Sequence, residues 1–447
     1  MTSKYLAGLF ILLTLSASLC SVAWAADSAT SVVAVASNNV DSGLPPLPAA
    51  KIKLPPVPQK TVESASAVRI MHFNRDFNGG AHTDGGFNGG SPMVLALAAW
   101  QGNTAADARL LEQIRNGVIS AKSSPTANGG YPAQHELQVT AALAVARMTP
   151  RVWNQFTPEE KAKIALVMKA ELVGSAFTTS DASGGVPKPV AIDGDLNFNR
   201  GWNPNFREGM FGNLIATSVF FGGPAQANRI LNAYDHDAFV AQLKAAGLTN
   251  TYKAFNWKAD HPTSPAPDGP TIAAGIRNYR YEKQHLDDLM GLYYKLTTFT
   301  YGATVSAGLN GGKGFKDTGA GCLASGADKL PNKGKIGMLK ELDSMDGGGP
   351  RSDMDYAYSG FITNLLNHLV LVVGGYWKPG PQADECLARL NIGIPDFFYK
   401  LEHGYYDYSK GHASKEVTDA NHCVWSYQLT QSLWEDVVKP YHAAEKK

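Results

Sequence analysis

Residues 347 to 377 read GGGPRSDMDYAYSGFITNLLNHLVLVVGGYW: a glycine turn, a polar and aromatic head, a long apolar run and two closing glycines. The apolar spacing predicts a helix over 360–375 that is buried on most of its faces. Ser352 or Asp353 is a natural N-cap for it, with Arg351 solvated and the tyrosines half-buried. If the helix has already begun at Arg351, a second reading opens. Arg351 and Tyr358 are seven residues apart, about 700° of helical turn, so they share a face and can reach one ligand. Tyr356, five residues on from Arg351, turns through about 500° and faces away from that pair, as a packing residue would.

Outward from this stretch the apolar spacing stays helical, and the segments come in pairs separated by Gly, Pro, Asn and Asp. They span 92–101, 106–120, 134–147, 157–174, 206–220, 225–233, 236–246, 283–299, 334–343, 382–397 and 422–436. Thr157 has the position of an N-cap with acidic residues after it, and Pro224 that of a first helical residue. No repeat of fixed length runs through the pairs, which argues against a solenoid. The predicted class is all-α, an (α/α) toroid of inner and outer helix pairs. Long loops rich in Gly, Asn, Asp and aromatics, at 71–90, 180–205 and 347–358, each feed the front of a helix. Gathered on one face, such loops line a cleft suited to a sugar polymer.

The beginning of the chain has Lys4, an apolar run over 6–19 and the small-residue stretch SVAWA, the pattern of a secretory signal peptide cleaved after Ala25. The expected location is therefore the periplasm or the exterior, with no membrane association after signal removal. Residues 26–66, rich in Pro and Ala, read as an arm or linker, leaving 67–447 as one catalytic domain. Loss of Lys4 brings Lys+Arg from 40 to 39 against 39 Asp+Glu, so the mature chain is close to neutral. Bulk electrostatics then cannot hold nucleic acid, and an acidic ligand must be met by a local cluster. Cys322, Cys386 and Cys423 allow one disulfide at most, and their spacing builds no zinc site.

Three further clusters carry chemistry. GWNPNFREGMFGN places Trp202, Asn203, Asn205 and Arg207 at a helix start; one asparagine can cap, and two are more than a cap requires. GIRNYRYEKQHLDD sets His285 one turn after Arg277, Tyr279, Arg280 and Tyr281, with Asp287 and Asp288 behind it. His72, Asn74, His82 and Asp84 sit in the first glycine-rich loop in no standard metal spacing. There is no GxSxG, P-loop or dinucleotide fingerprint, and no cofactor is expected.

The order Asn, His, then Arg and Tyr on successive helices resembles the (α/α)-toroid polysaccharide lyases. RSDMDYAYSGF is similar to the arginine-to-tyrosine segment of family 5 alginate lyases, where these residues also lie seven apart. From about 67 to 440 the chain looks most like polysaccharide lyase family 38, whose members act on β-1,4-linked uronates such as glucuronan and alginate. In family 5 the catalytic asparagine is followed directly by histidine; here Pro204 and Phe206 follow the two asparagines, so the histidine comes from another helix. His285 is preferred to His236 and His261, and 309–333 looks like an insertion before Arg351. The resemblance implies β-elimination on an acidic polysaccharide, with Tyr358, His285, Arg351, Asn205 and Asn203 catalytic. Trp202, Arg207, Arg277, Tyr281, Tyr356 and His82 are then the substrate-binding set. Rival readings are an inverting glycoside hydrolase using carboxylates such as Asp287 and Asp353, and a glycan-binding protein without catalysis.

Asp193, Asp195, Asn197 and Asn199 approach the oxygen spacing of a calcium loop, but the glycine and closing glutamate are out of register. No metal is expected, and turnover on a uronate polymer should survive a chelator. Loss of activity restored by one divalent ion would turn attention to Asp193 and Asp195.

Overall fold

Pro55, Pro56 and Pro58 hold the chain extended, which lets Leu54 and Val57 dip into the core while the residues between them face out. Val57 N–H donates to Gln101 Oε1 at 2.9 Å, and Gln101 Nε2 donates back to the Pro55 carbonyl at 2.7 Å. Helix α1 (Gln59–Ala67) follows and buries Val62 and Ala65. Within the stretch read as an arm or linker, residues 52–66 thus pack against the core. Proline and alanine density gave this stretch a linker's composition, yet here the prolines shape a strap that the core holds.

The computed structural model describes Leu44, Leu47, Leu286 and residues 52–68, 91–120, 136–178, 188–189, 204–248, 288–306, 350–402 and 423–445. All of them belong to one unit, Asn39–Lys447. The elements after α1 are α2 (Ser91–Trp100), α3 (Thr104–Gln113) with a π turn at Ile114–Val118, α4 (Glu136–Arg147), α5 (Pro150–Trp153) and α6 (Pro158–Ala176). Then come α7 (Pro204–Phe220), α8 (Pro224–Asn232), α9 (His236–Ala245), α10 (Leu289–Ser306), α11 (Pro350–Val373) and α12 (Pro381–Glu402). The last helices are α13 (Cys423–Ser432), a π segment at Leu433–Val438, and α14 (Lys439–Glu445). A two-residue antiparallel ladder, Phe177–Thr178 with Lys188–Pro189, is the extended pairing among the described residues. The all-α class expected from the apolar spacing is the class observed; the segment 334–343 lies outside the described residues.

Local chemistry explains the helix starts. Thr157 and Glu160 form a reciprocal capping box: Glu160 N–H donates to Thr157 Oγ1 at 3.1 Å, and Thr157 N–H to Glu160 Oε2 at 2.8 Å. Arg115 donates to the other oxygen of that carboxylate at 2.7 Å, tying the head of α6 to the π turn. Asn103 and Asp235 cap α3 and α9 through their side-chain oxygens. Pro224 opens α8 as expected, after Gly223 at φ 112°. The capping roles considered for Ser352 and Asp353 do not hold. Helix α11 starts at Pro350, whose fixed φ and missing N–H suit a first helical position, and both residues lie inside the first turn.

Side-chain contacts set the helix directions. Thr140 Oγ1 donates to Asn213 Oδ1 at 2.8 Å, and seven residues on in both helices the Arg147 guanidinium lies 5.1 Å from the Phe220 ring, so α4 and α7 run parallel. Helices α7 and α11 pack along their lengths. They meet at their C-terminal ends, where Val219 Cγ1 lies 3.0 Å from the place a Cβ on Gly374 would take and the Tyr376 hydroxyl comes against Gly223. They too are parallel. Arg151, just past α4, donates to the Ala99 carbonyl in the last turn of α2, bringing the ends of α2 and α4 together. The chain therefore enters α2, α4, α7 and α11 from one side.

Buried polar groups also join α10 to α12. Between α10 and α12, Arg389 and Glu385 form an ion pair that is almost fully buried, and the Tyr294 hydroxyl donates to Glu385 Oε2 at 2.8 Å. Cys386 beside them is a free thiol, 3.2 Å from Thr297 Oγ1, and burial pushes its pKa up to about 11. It takes no part in a disulfide. Truncating Glu385 to alanine strands a buried guanidinium without its carboxylate, and urea melts of Glu385→Ala are expected to show a loss of about 3–5 kcal/mol. A loss under about 1 kcal/mol would mean that water reaches the pair.

Candidate active site

Parallel helices bring their heads to one face, and that face collects the sequence-predicted residues the structure describes. Asn205 and Arg207 stand in the first turn of α7; Arg351, Tyr356 and Tyr358 stand in the first turns of α11. Trp202, Asn203, Arg277, Tyr281, His285 and His82 lie outside the described residues. Residues 69–90, 179–203 other than Lys188–Pro189, and 307–349, which precede α2, α7 and α11 in the chain, lie outside the described residues. The condition for the Arg351–Tyr358 argument is met, since both residues belong to one continuous helix.

The α7–α11 seam has a definite register. On α7, steps of four and three residues back from Val219 meet Ala216, Gly212, Gly209 and Asn205. The matching steps back from Gly374 on α11 meet Val370, Asn367, Thr363, Gly360 and Tyr356. Small residues dominate both stripes, which lets the two backbones approach closely. At 1.5 Å per residue, Asn205 is about 21 Å from the Val219–Gly374 contact, Tyr358 about 24 Å and Tyr356 about 27 Å. The asparagine and the tyrosines thus stand at nearly one level. Their rotations differ: Tyr356 is eighteen residues before Gly374, about 1800° or five full turns, and falls on the seam stripe. Tyr358 and Arg351 fall about 160° and 140° round the helix from it.

Buried polar links hold these helices in rotation. Asn213 accepts from Thr140 on α4 and donates through Nδ2 to Glu171 Oε2 on α6 at 3.2 Å, all three side chains being fully buried. On α11, Asn367 Nδ2 donates to the Thr363 carbonyl at 2.8 Å, and the Tyr293 hydroxyl of α10 donates to the Asn364 carbonyl at 3.1 Å. The sequence reading did not single these out; asparagines inside apolar helices were the available signal, because a buried amide demands partners.

The C-terminal helix is tied to α11 by two histidines. His368 Nε2 and His442 Nε2 are 2.8 Å apart, and His442 Nδ1 lies 2.7 Å from Glu445 Oε2. Nδ1–H of His442 donates to that carboxylate, so its Nε2 accepts from His368 Nε2–H; this tautomer is assigned from the network. Tyr293 and Trp377 pack against the His368 ring, with centroids at 6.0 and 4.5 Å. Burial, and then the neighbouring His442, hold the His368 pKa well below its ordinary value.

No protein-family model matches the chain, and no solved structure does. A gellan lyase from Bacillus sp. is similar to it, 29% identical over 343 residues. That similarity takes in 75% of this chain and 13% of the gellan lyase, so the chain spans a small part of that relative's length.

The histidine pair gives the fold a pH dependence of known sign. Below about pH 6.5 the unfolded chain protonates the His368 imidazole while the folded chain does not, so the unfolded state binds more protons and stability falls with pH. The Tm should drop as pH is lowered from about 7 to 5, and the drop should be shallower in His368→Phe, whose ring does not titrate. An equally steep drop in that variant would place the proton uptake elsewhere.

Proposed function

We propose that the chain is a polysaccharide lyase that cleaves uronate-containing polymers by β-elimination, leaving a 4,5-unsaturated uronate at each new end. The observation that supports this reading is that the head of α7, with Asn205, and the head of α11, with Tyr356, lie on one face of parallel helices, in a chain similar to a gellan lyase over three-quarters of its length. Closure of the helix pairs into an (α/α) toroid, with the loops as walls of the cleft, belongs to the same reading. So do export through the N-terminal signal pattern and action in the periplasm or outside the cell.

The chemistry dictates what such a site must contain. Taking the C5 proton of a uronate places a second negative charge beside the carboxylate, so the carboxylate has to be neutralised first. Asn205, with Asn203 and His285 joining it from the segments ahead of α7 and α10, supplies donors to the carboxylate. A fixed donor of this kind contributes roughly 3–4 kcal/mol to the transition state. A phenolate from the head of α11 takes the C5 proton and becomes a phenol, the C–H electrons form the C4–C5 double bond, and the C4–O bond breaks. The phenol then returns the proton to the departing glycosidic oxygen. A cation close to the phenol lowers the cost of the phenolate. No water is consumed. Trp202, Arg207, Arg277, Tyr281 and His82 would hold neighbouring sugars by stacking and by charge.

Digests of gellan, glucuronan and alginate analysed by mass spectrometry test the reading. Elimination leaves each new non-reducing end lighter by one water than hydrolysis does, and it adds an ultraviolet-absorbing double bond. Asn205→Ala should lower turnover by about 10²–10³ with an unchanged melting curve. Saturated products from the wild type would point to a hydrolase, and bound but uncut polymer to a glycan-binding protein.

A further inference from the structure

We propose that Tyr356, and not Tyr358, is the catalytic phenol, working across the α7–α11 seam from Asn205. The assignment rests on the lyase reading above and deepens it, because seven-residue spacing from Arg351 points to the other tyrosine.

Two independent observations carry it. The first is register. The contact of Val219 with Gly374, the residue just past the last turn of α11, marks which stripe of each helix faces the other at their C-terminal ends. Helical periodicity carries that stripe from Gly374 back through Val370, Asn367, Thr363 and Gly360 to position 356. On α7 it runs from Val219 back to position 205. Position 358 lies about 160° away, on the far side of α11. At the level of Asn205 the facing residue on α11 is Gly360, and the next residue inward on the α7 stripe is Gly209. Both are glycines, so at those two positions the stripes themselves carry no side chain. A sugar carboxylate entering there would meet the amide on one helix and the phenol on the other.

The second observation is chemical character. The stripe that carries Tyr356 continues inward through Thr363 and Asn367, polar residues at 1% and 0% exposure, and Asn367 Oδ1 has no partner among the described residues. The stripe that carries Arg351 and Tyr358 continues through Ile362, Leu365 and Leu369, all buried and apolar. A polar path from the face into the seam is a surrounding that a proton-transferring group can use. An apolar ridge is one that anchors a helix.

Tyr356→Phe and Tyr358→Phe, each made in the full chain, separate the two. Each removes one hydroxyl and keeps the ring. With the uronate polymer that the wild type converts to unsaturated product, Tyr356→Phe should lose about 10²–10⁴ in kcat while KM stays within a few-fold and the melting curve is unchanged. Tyr358→Phe should keep kcat within a few-fold. Loss of turnover in a folded Tyr358→Phe overturns the assignment, whether or not Tyr356→Phe is also slow. If Tyr356→Phe fails to fold, Tyr358→Phe decides by itself: near-normal kcat supports the assignment and loss overturns it. A wild type that yields no unsaturated product from any of the polymers would defeat the lyase reading instead, before either variant is compared.

Discussion

The packing of α7 against α11, tight where Gly374 meets Val219, is the constraint on which the rest of the molecule depends. A Cβ on Gly374 would already press on Val219, so neither helix can rotate without a clash on one side or a void on the other. Packed interiors tolerate neither, since a gap forfeits dispersion contacts and an overlap forces backbone shifts. Rotation settled at the C-terminal ends is transmitted along two stiff rods to their heads. There it decides which side chains can share a ligand.

Polar links reinforce that decision where apolar packing alone would allow slippage. A core of leucine and valine can slide by a turn at modest cost, whereas moving Asn213 away from Thr140 and Glu171 would leave buried amide and carboxylate groups unsatisfied. The Arg389–Glu385 pair does the same for α10 and α12, and the His368–His442 contact holds the C-terminal helix against α11. Such groups contribute less to net stability than to uniqueness of arrangement, and a face assembled from the heads of separate helices needs that uniqueness. They lie within the body of the fold, well behind the helix heads, which separates the parts that hold the site from the parts that would do chemistry.

Much of this was legible in the residues. Thr157 with Glu160, and Pro224 after two glycines, announce helix starts because the orphan N–H groups of a first turn need a local acceptor or none at all. The all-helical class follows from apolar residues returning every three or four positions. Two boundaries were not legible. Residues 52–66 have a linker's composition, and only their contacts with Gln101 and α2 show that they are packed. The start of α11 at Pro350 hides behind three glycines and a polar first turn that carry no apolar period. The candidate residues were legible as types, asparagine, arginine and tyrosine ahead of apolar helices, because those chemistries suit an acidic sugar. The similarity to a gellan lyase supports the reaction class without choosing among those residues.

By itself the sequence determined the helices and the angular position of each residue within its own helix: Arg351 beside Tyr358, Tyr356 beside Thr363 and Asn367, Asn205 beside Gly209 and Gly212. Those relations depend only on 3.6 residues per turn. It could not determine which stripe of α11 faces α7. That is a relation between segments separated by more than a hundred residues, and it is set where Gly374 meets Val219. A helix can be rotated as a rigid body without changing any of its internal hydrogen bonds, so local chemistry is indifferent to that angle. Only the packing of one helix against another gives the angle an energy.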